Sequence, residues 1–137
     1  MDAQGPKLVA KLRQHLTSGR IHAWYWGHEH HCVVYDAHPA FRLRGRCIGH
    51  SGFPEFRKSD WGAAPAKPSW RRLDSTRESP GGVVLDGRNE YIEGHETEYA
   101  PHGYVTLEFE NDKMTEFIHQ ADGKTIELPR GLQDTEQ

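Results

Sequence analysis

Leu8, Leu12 and Leu16 recur at helical spacing near the start of the chain, while Lys7, Lys11 and Gln14 fall on the other side. That stripe predicts a short amphipathic helix over about residues 6–18, with Pro6 suited to its first turn and Gly19 to its C-cap. Residues 21–26 then change character. Ala23-Trp24-Tyr25-Trp26 is apolar on both faces and too short for a helix between Gly19 and Gly27, so it predicts a strand inside a covered sheet. Cys32-Val33-Val34-Tyr35 predicts a second strand. After a turn at residues 36–39, the alternation through Arg42-Leu43-Arg44-Gly45-Arg46-Cys47-Ile48 predicts a third with one wet face. In that reading Arg42, Arg44 and Arg46 share a solvated edge rather than meeting phosphates.

Residues 49–82 show no sustained period and are rich in Gly, Pro and Ser, so they read as a long surface excursion partly packed by Trp61 and Trp70. Val83-Val84-Leu85 predicts a short strand, and residues 90–101 a polar loop carrying His95. The last third is plainer. Val105, Leu107 and Phe109 alternate with Thr106, Glu108 and Glu110, Asn111-Asp112 turns the chain into residues 113–119, and Asp122-Gly123 turns it again into residues 125–128. This predicts a three-stranded antiparallel meander. The expectation is therefore an α+β fold: a partial α/β sandwich with one N-terminal helix, a mixed sheet, a C-terminal antiparallel meander and a long irregular loop in the middle. Residues 1–129 form the domain, and 130–137 are a polar tail expected to fray.

Composition narrows the function classes. A length of 137 residues suits one domain. A formal net charge of −3 gives no global pull toward nucleic acid or an anionic membrane. No apolar run approaches the roughly 18 to 20 residues needed to cross a bilayer, and the N-terminus has no charged-then-apolar signal pattern, so a cytoplasmic location is expected. Cys32 and Cys47 are too few and too far apart for a disulfide framework or a Cys-x-x-Cys zinc site; they read as reduced, half-buried thiols.

The densest chemistry is Trp26-Gly27-His28-Glu29-His30-His31. Two imidazoles at i and i+2 of an extended segment project to the same side, which suits His28 and His30 to one metal site or a bridged pair. His31 points the other way and reads as a surface group or a support for a ligand. His50, in a Gly-His-Ser-Gly turn, is a candidate phosphate contact. His15, His22, His38, His95, His102 and His119 read as ordinary surface or strand residues. Trp24, Tyr25 and Trp26 read as core rather than a base-stacking platform.

The run Ala23-Trp24-Tyr25-Trp26-Gly27-His28-Glu29-His30-His31, followed by Gly45-Arg46-Cys47-Ile48-Gly49-His50-Ser51-Gly52-Phe53-Pro54, resembles the C-terminal part of calcineurin-like metallophosphoesterases. The closing stretch His102-Gly103-Tyr104-Val105-Thr106-Leu107 with Asp122-Gly123 is similar to how such domains end. The resemblance implies a sandwich of two mixed sheets with a metal pair at the strand ends, His28 binding one ion and His30 the other, and Glu29 between them pointing away. Two divalent ions about 3.5 to 4 Å apart activate a bridging water and hold a phosphoester. Neutral imidazoles suit Mn, Fe, Zn or Ni. The family also uses Asp-x-His, Gly-Asp and Gly-Asn-His motifs before Gly-His-x-His, and none lies among the 27 residues preceding His28. Asp36-Ala37-His38 and Gly87-Arg88-Asn89-Glu90 come after the pair and read as chance matches.

Two functions follow. One is a metal-dependent phosphoester hydrolase present as a C-terminal fragment, inactive alone, whose partner is its missing N-terminal half or another copy of itself. The other is a non-catalytic remnant or small metal-binding module. A missing half also implies an exposed sheet edge.

Overall fold

The computed structural model describes residues 5–77, 79–129 and 132. Helix α1 spans Gly5–Thr17. Its stripe is only partly covered, with Leu16 buried and Leu8 half exposed. The helix closes by side-chain bonds to its last carbonyls, from Thr17 Oγ1 to Arg13 O at 2.8 Å and from Ser18 Oγ to His15 O at 2.6 Å. Gly19 then takes a φ of 69°, the left-handed conformation that ends helices.

Five strands form the larger sheet: β1 (Ala23–Trp26), β2 (Cys32–Ala37), β3 (Arg44–Ile48), β4 (Ser69–Leu73) and β5 (Gly82–Asp86). Their order is β1-β3-β2-β5-β4. Only β1 and β3 are parallel; every other pairing is antiparallel. Because β3 inserts between β1 and β2, β1 becomes an edge strand whose C-terminal end lies beside that of β3. The smaller sheet is a meander of β6 (Gly103–Glu110), β7 (Lys113–Gln120) and β8 (Thr125–Ile126). One helix, a mixed sheet and an antiparallel sheet make this an α+β fold.

Side-chain alternation divides the core between the two faces of the larger sheet. Cys32, Val34, Val83 and Leu85 pack with Ile118 of β7, joined by Val105, Ile126 and Leu128. Val33, Cys47 and Val84 point the other way and are covered by Trp26, Tyr35, Leu73 and Trp61. Trp61 belongs to the excursion, in a single 3₁₀ turn at Ser59–Trp61.

Several elements differ from the sequence reading. β3 begins at Arg44 because Arg42 takes a φ of 57° in a tight turn, where the Arg42 N–H bonds His38 O at 2.7 Å. The three arginines therefore do not share a solvated edge. Arg46 is 2% exposed and its Nε bonds the Glu116 carboxylate of β7 at 2.8 Å, tying the two sheets together. β2 runs two residues further than expected, through a register irregularity between Val34 and Ala37. The excursion is irregular for most of its length but contributes β4, an edge strand in which Trp70 is half-buried and donates its indole N–H to Glu127 O at 2.8 Å. The polar tail at residues 130–137 lies outside the described residues except for residue 132.

The excursion is held by buried charge. Asp86, fully buried, accepts from Arg57 Nε at 2.5 Å and from Arg71 Nη2 at 2.9 Å. Burial pushes the Asp86 carboxyl upward, but the hydrogen bonds and charges of Arg57 and Arg71 together hold it below its ordinary value. Arg57 also donates to Gly62 O and Thr97 O, at 3.2 Å each. Arg71 lies over the Trp61 ring, 5.6 Å from its centroid.

Candidate functional site

Parallel pairing of β1 with β3, in the register Trp26 opposite Cys47, brings two turns together beyond the strand ends. One is residues 27–31, the other 49–52. Gly49 packs directly under the first: a Cβ built on it would lie 2.3 Å from Gly27 O and 2.6 Å from Glu29 O. Only glycine permits that approach. The Gly-His-x-His run and the Gly-His-Ser-Gly run, about twenty residues apart in sequence, are thus neighbours in space, at the strand-end corner where side chains can converge on a ligand.

The histidine segment is a turn and not the extended stretch expected. β1 ends at Trp26, and the His31 N–H bonds Glu29 O at 2.7 Å, closing a three-residue turn around His30. The simple i, i+2 alternation of a strand therefore does not set the directions of His28 and His30. His28 is exposed, and His30 is half-buried with its ring 5.2 Å from that of Phe53. The Glu29 carboxylate folds back to accept the Trp26 indole N–H, and it lies 3.6 Å from Cys47 Sγ. The His31 ring meets Trp61 edge-on at 6.2 Å. Burial lowers the His31 pKa, with Glu55 and the Phe56 backbone offsetting part of the shift.

His50, just past the end of β3, is bonded to the meander and is 0% exposed. Its carbonyl accepts the Gly103 N–H at 3.0 Å, and its ring lies so close to Gly103 that an added Cβ would sit 2.8 Å from Nε2. Neither ring nitrogen has a hydrogen-bond partner among the described residues. Burial pushes its pKa down to about 4; the Ile48 backbone, near but outside hydrogen-bond geometry, offsets this slightly, and His102 and His31 add to the lowering. A side chain so placed has no surface through which to meet a solvent-borne phosphate.

The strand-end corner therefore joins His28, Glu29, His30 and His31, while His50 stands behind it at the junction of the sheets. Two imidazoles suit a borderline metal ion in kind. They do not complete a site: among the described residues, no group of three or more His, Cys, Asp or Glu is arranged to hold a metal ion. A dinuclear centre does not fit these residues as they stand. Among the described residues, no helix is long and apolar enough to cross a membrane. No family model, curated protein or solved structure matches the chain.

Sequence reasoning missed Cys47. Its sulfur contacts Glu29 O at 2.9 Å and His31 O at 3.3 Å. The signal was present but indirect, a small apolar residue two positions before a glycine at the end of a strand.

Proposed function

We propose that this chain is the histidine-bearing C-terminal portion of a metal-dependent phosphoester hydrolase of the calcineurin-like class, with His28 and His30 as part of its metal-ligand set. The convergence of residues 27–31 and 49–52 at the ends of the parallel pair supports this reading most, because it places both halves of the resemblance at one corner. Ligands that this sequence does not hold come from another polypeptide segment, either the complementary half of the domain or a second copy. The edge position of β1, with Trp24, Tyr25 and Trp26 all half-buried at the rim, is where such a segment would join. A cytoplasmic setting, which keeps Cys32 and Cys47 reduced, belongs to the same proposal.

Manganese-dependent turnover of a bis-aryl phosphate tests the reading. The chain alone gives little or none, because a two-histidine set cannot assemble a two-metal cleft. Turnover that survives both His28→Ala and His30→Ala contradicts the assignment. Metal binding through the pair that never yields turnover, whatever complementary segment is added, leaves a non-catalytic metal-binding module instead.

A further inference from the structure

The turn that carries His28 and His30 lies outside the strand ladder, so its shape comes from what lies beneath it. Cys47 Sγ is 2.9 Å from Glu29 O, 3.3 Å from His31 O and 3.6 Å from the Glu29 carboxylate. Toward these three acceptors the sulfur acts as an S–H donor. A thiolate would face these oxygens, with the Gly49 and His31 backbones offsetting only part of the cost. Cys47 is 1% exposed and fixed by strand pairing on both sides, opposite Trp26 in β1 and Val33 in β2. Two residues on, Gly49 supports the same turn through Gly27 O and Glu29 O.

We propose that Cys47 is a positioning residue: its thiol proton, held between the carbonyls of Glu29 and His31, sets the direction in which His28 and His30 leave the sheet. The purpose of that role rests on the reading of the pair as metal ligands; the role itself does not. Burial pushes the Cys47 thiol up to about 11, so the donor proton stays in place throughout the neutral range. Cys47→Ala removes the donor and leaves two carbonyls beneath the turn without it. Cys47→Ser keeps a donor on a shorter bond.

Amide hydrogen exchange at His31, whose N–H closes the turn, tests this on the intact chain. Val33→Ala is the control, because Val33 packs with Cys47 in the same apolar cluster but carries no hydrogen-bonding side chain. Cys47→Ala speeds exchange at His31 about tenfold beyond any change Val33→Ala produces, and Cys47→Ser recovers most of that difference. Equal exchange at His31 in Cys47→Ala and Val33→Ala overturns the proposal. A zinc titration of the same variants reports separately on the metal reading. Weak binding lost in His28→Ala and weakened about tenfold in Cys47→Ala is the expected pattern. Zinc binding unchanged in Cys47→Ala also overturns the proposal, whereas no binding through His28 and His30 removes the metal reading and leaves the exchange result to decide the role of Cys47.

Discussion

The two faces of the five-stranded sheet are closed by different physics. Toward the meander, Cys32, Val34, Val83 and Leu85 meet Ile118 and its neighbours in an apolar contact built from strand alternation, with Arg46 and Glu116 as the buried ionic tie. Toward the excursion, Val33, Cys47 and Val84 are covered by Trp61 from its irregular part together with Trp26, Tyr35 and Leu73 of the strands. That cover is pinned by Asp86 and two arginines, 29 and 15 residues away in sequence. The first kind of closure is encoded locally, residue by residue. The second depends on charges that mean nothing until the fold brings them together.

Breaking the pin produces the largest effect. Asp86→Ala leaves the Arg57 and Arg71 guanidinium groups around an empty position, and removing one side of a buried ion pair costs about 3 to 5 kcal/mol. Denaturant unfolding measures that loss, and limited proteolysis locates it: cleavage falls first within residues 49–73 while the meander stays protected. A variant that loses stability with cleavage spread evenly over both sheets contradicts the division.

The pattern of legibility follows the same line. The meander was readable because Val105, Leu107 and Phe109 alternate ahead of two turn dipeptides, although these strands are more exposed than the alternation suggests, with Phe109 at 72%. The helix and β1 were readable from one stripe and one two-sided apolar run. β4 was not, because Ser69-Trp70-Arg71-Arg72-Leu73 has the composition of a loop and becomes a strand only by pairing with β5. Arg46 looked solvated for the same reason, since Glu116 lies 70 residues away. At the site, the histidine pair was legible, but the turn that bends it was not, because it is shaped by Cys47 of β3 and by Gly49 just beyond that strand.

Acid sharpens the comparison at the seam between the sheets. His50 is pressed on Gly103, and burial, with smaller contributions from the nearby charges of His102 and His31, pushes its folded pKa down from 6.5 to about 4. As pH falls below about 6.5 the unfolded chain takes up the proton first, so the stability present above that value is lost on the way to pH 4. The loss from this group is on the order of 3 kcal/mol. Urea unfolding at pH 7.5 and 4.5 measures it, and His50→Leu reduces the difference by more than half. An unchanged pH dependence in His50→Leu contradicts this account of the seam.

The smallest effect is expected where charge is exposed. Arg72 and Asp36 pair at 2.5 Å, but Arg72 keeps 58% of its side chain in solvent. Water and salt screen such a pair. Arg72→Ala therefore leaves the unfolding midpoint within experimental scatter, and a shift comparable to that of Asp86→Ala would erase the distinction between pinned and solvated charge.

Calorimetric titration of zinc or manganese into the isolated chain tests the central claim most directly, that His28 and His30 are part of a metal-ligand set this sequence leaves incomplete. Weak binding, abolished by either His28→Ala or His30→Ala, is the predicted result. Tight binding, or binding unaffected by both substitutions, would contradict it.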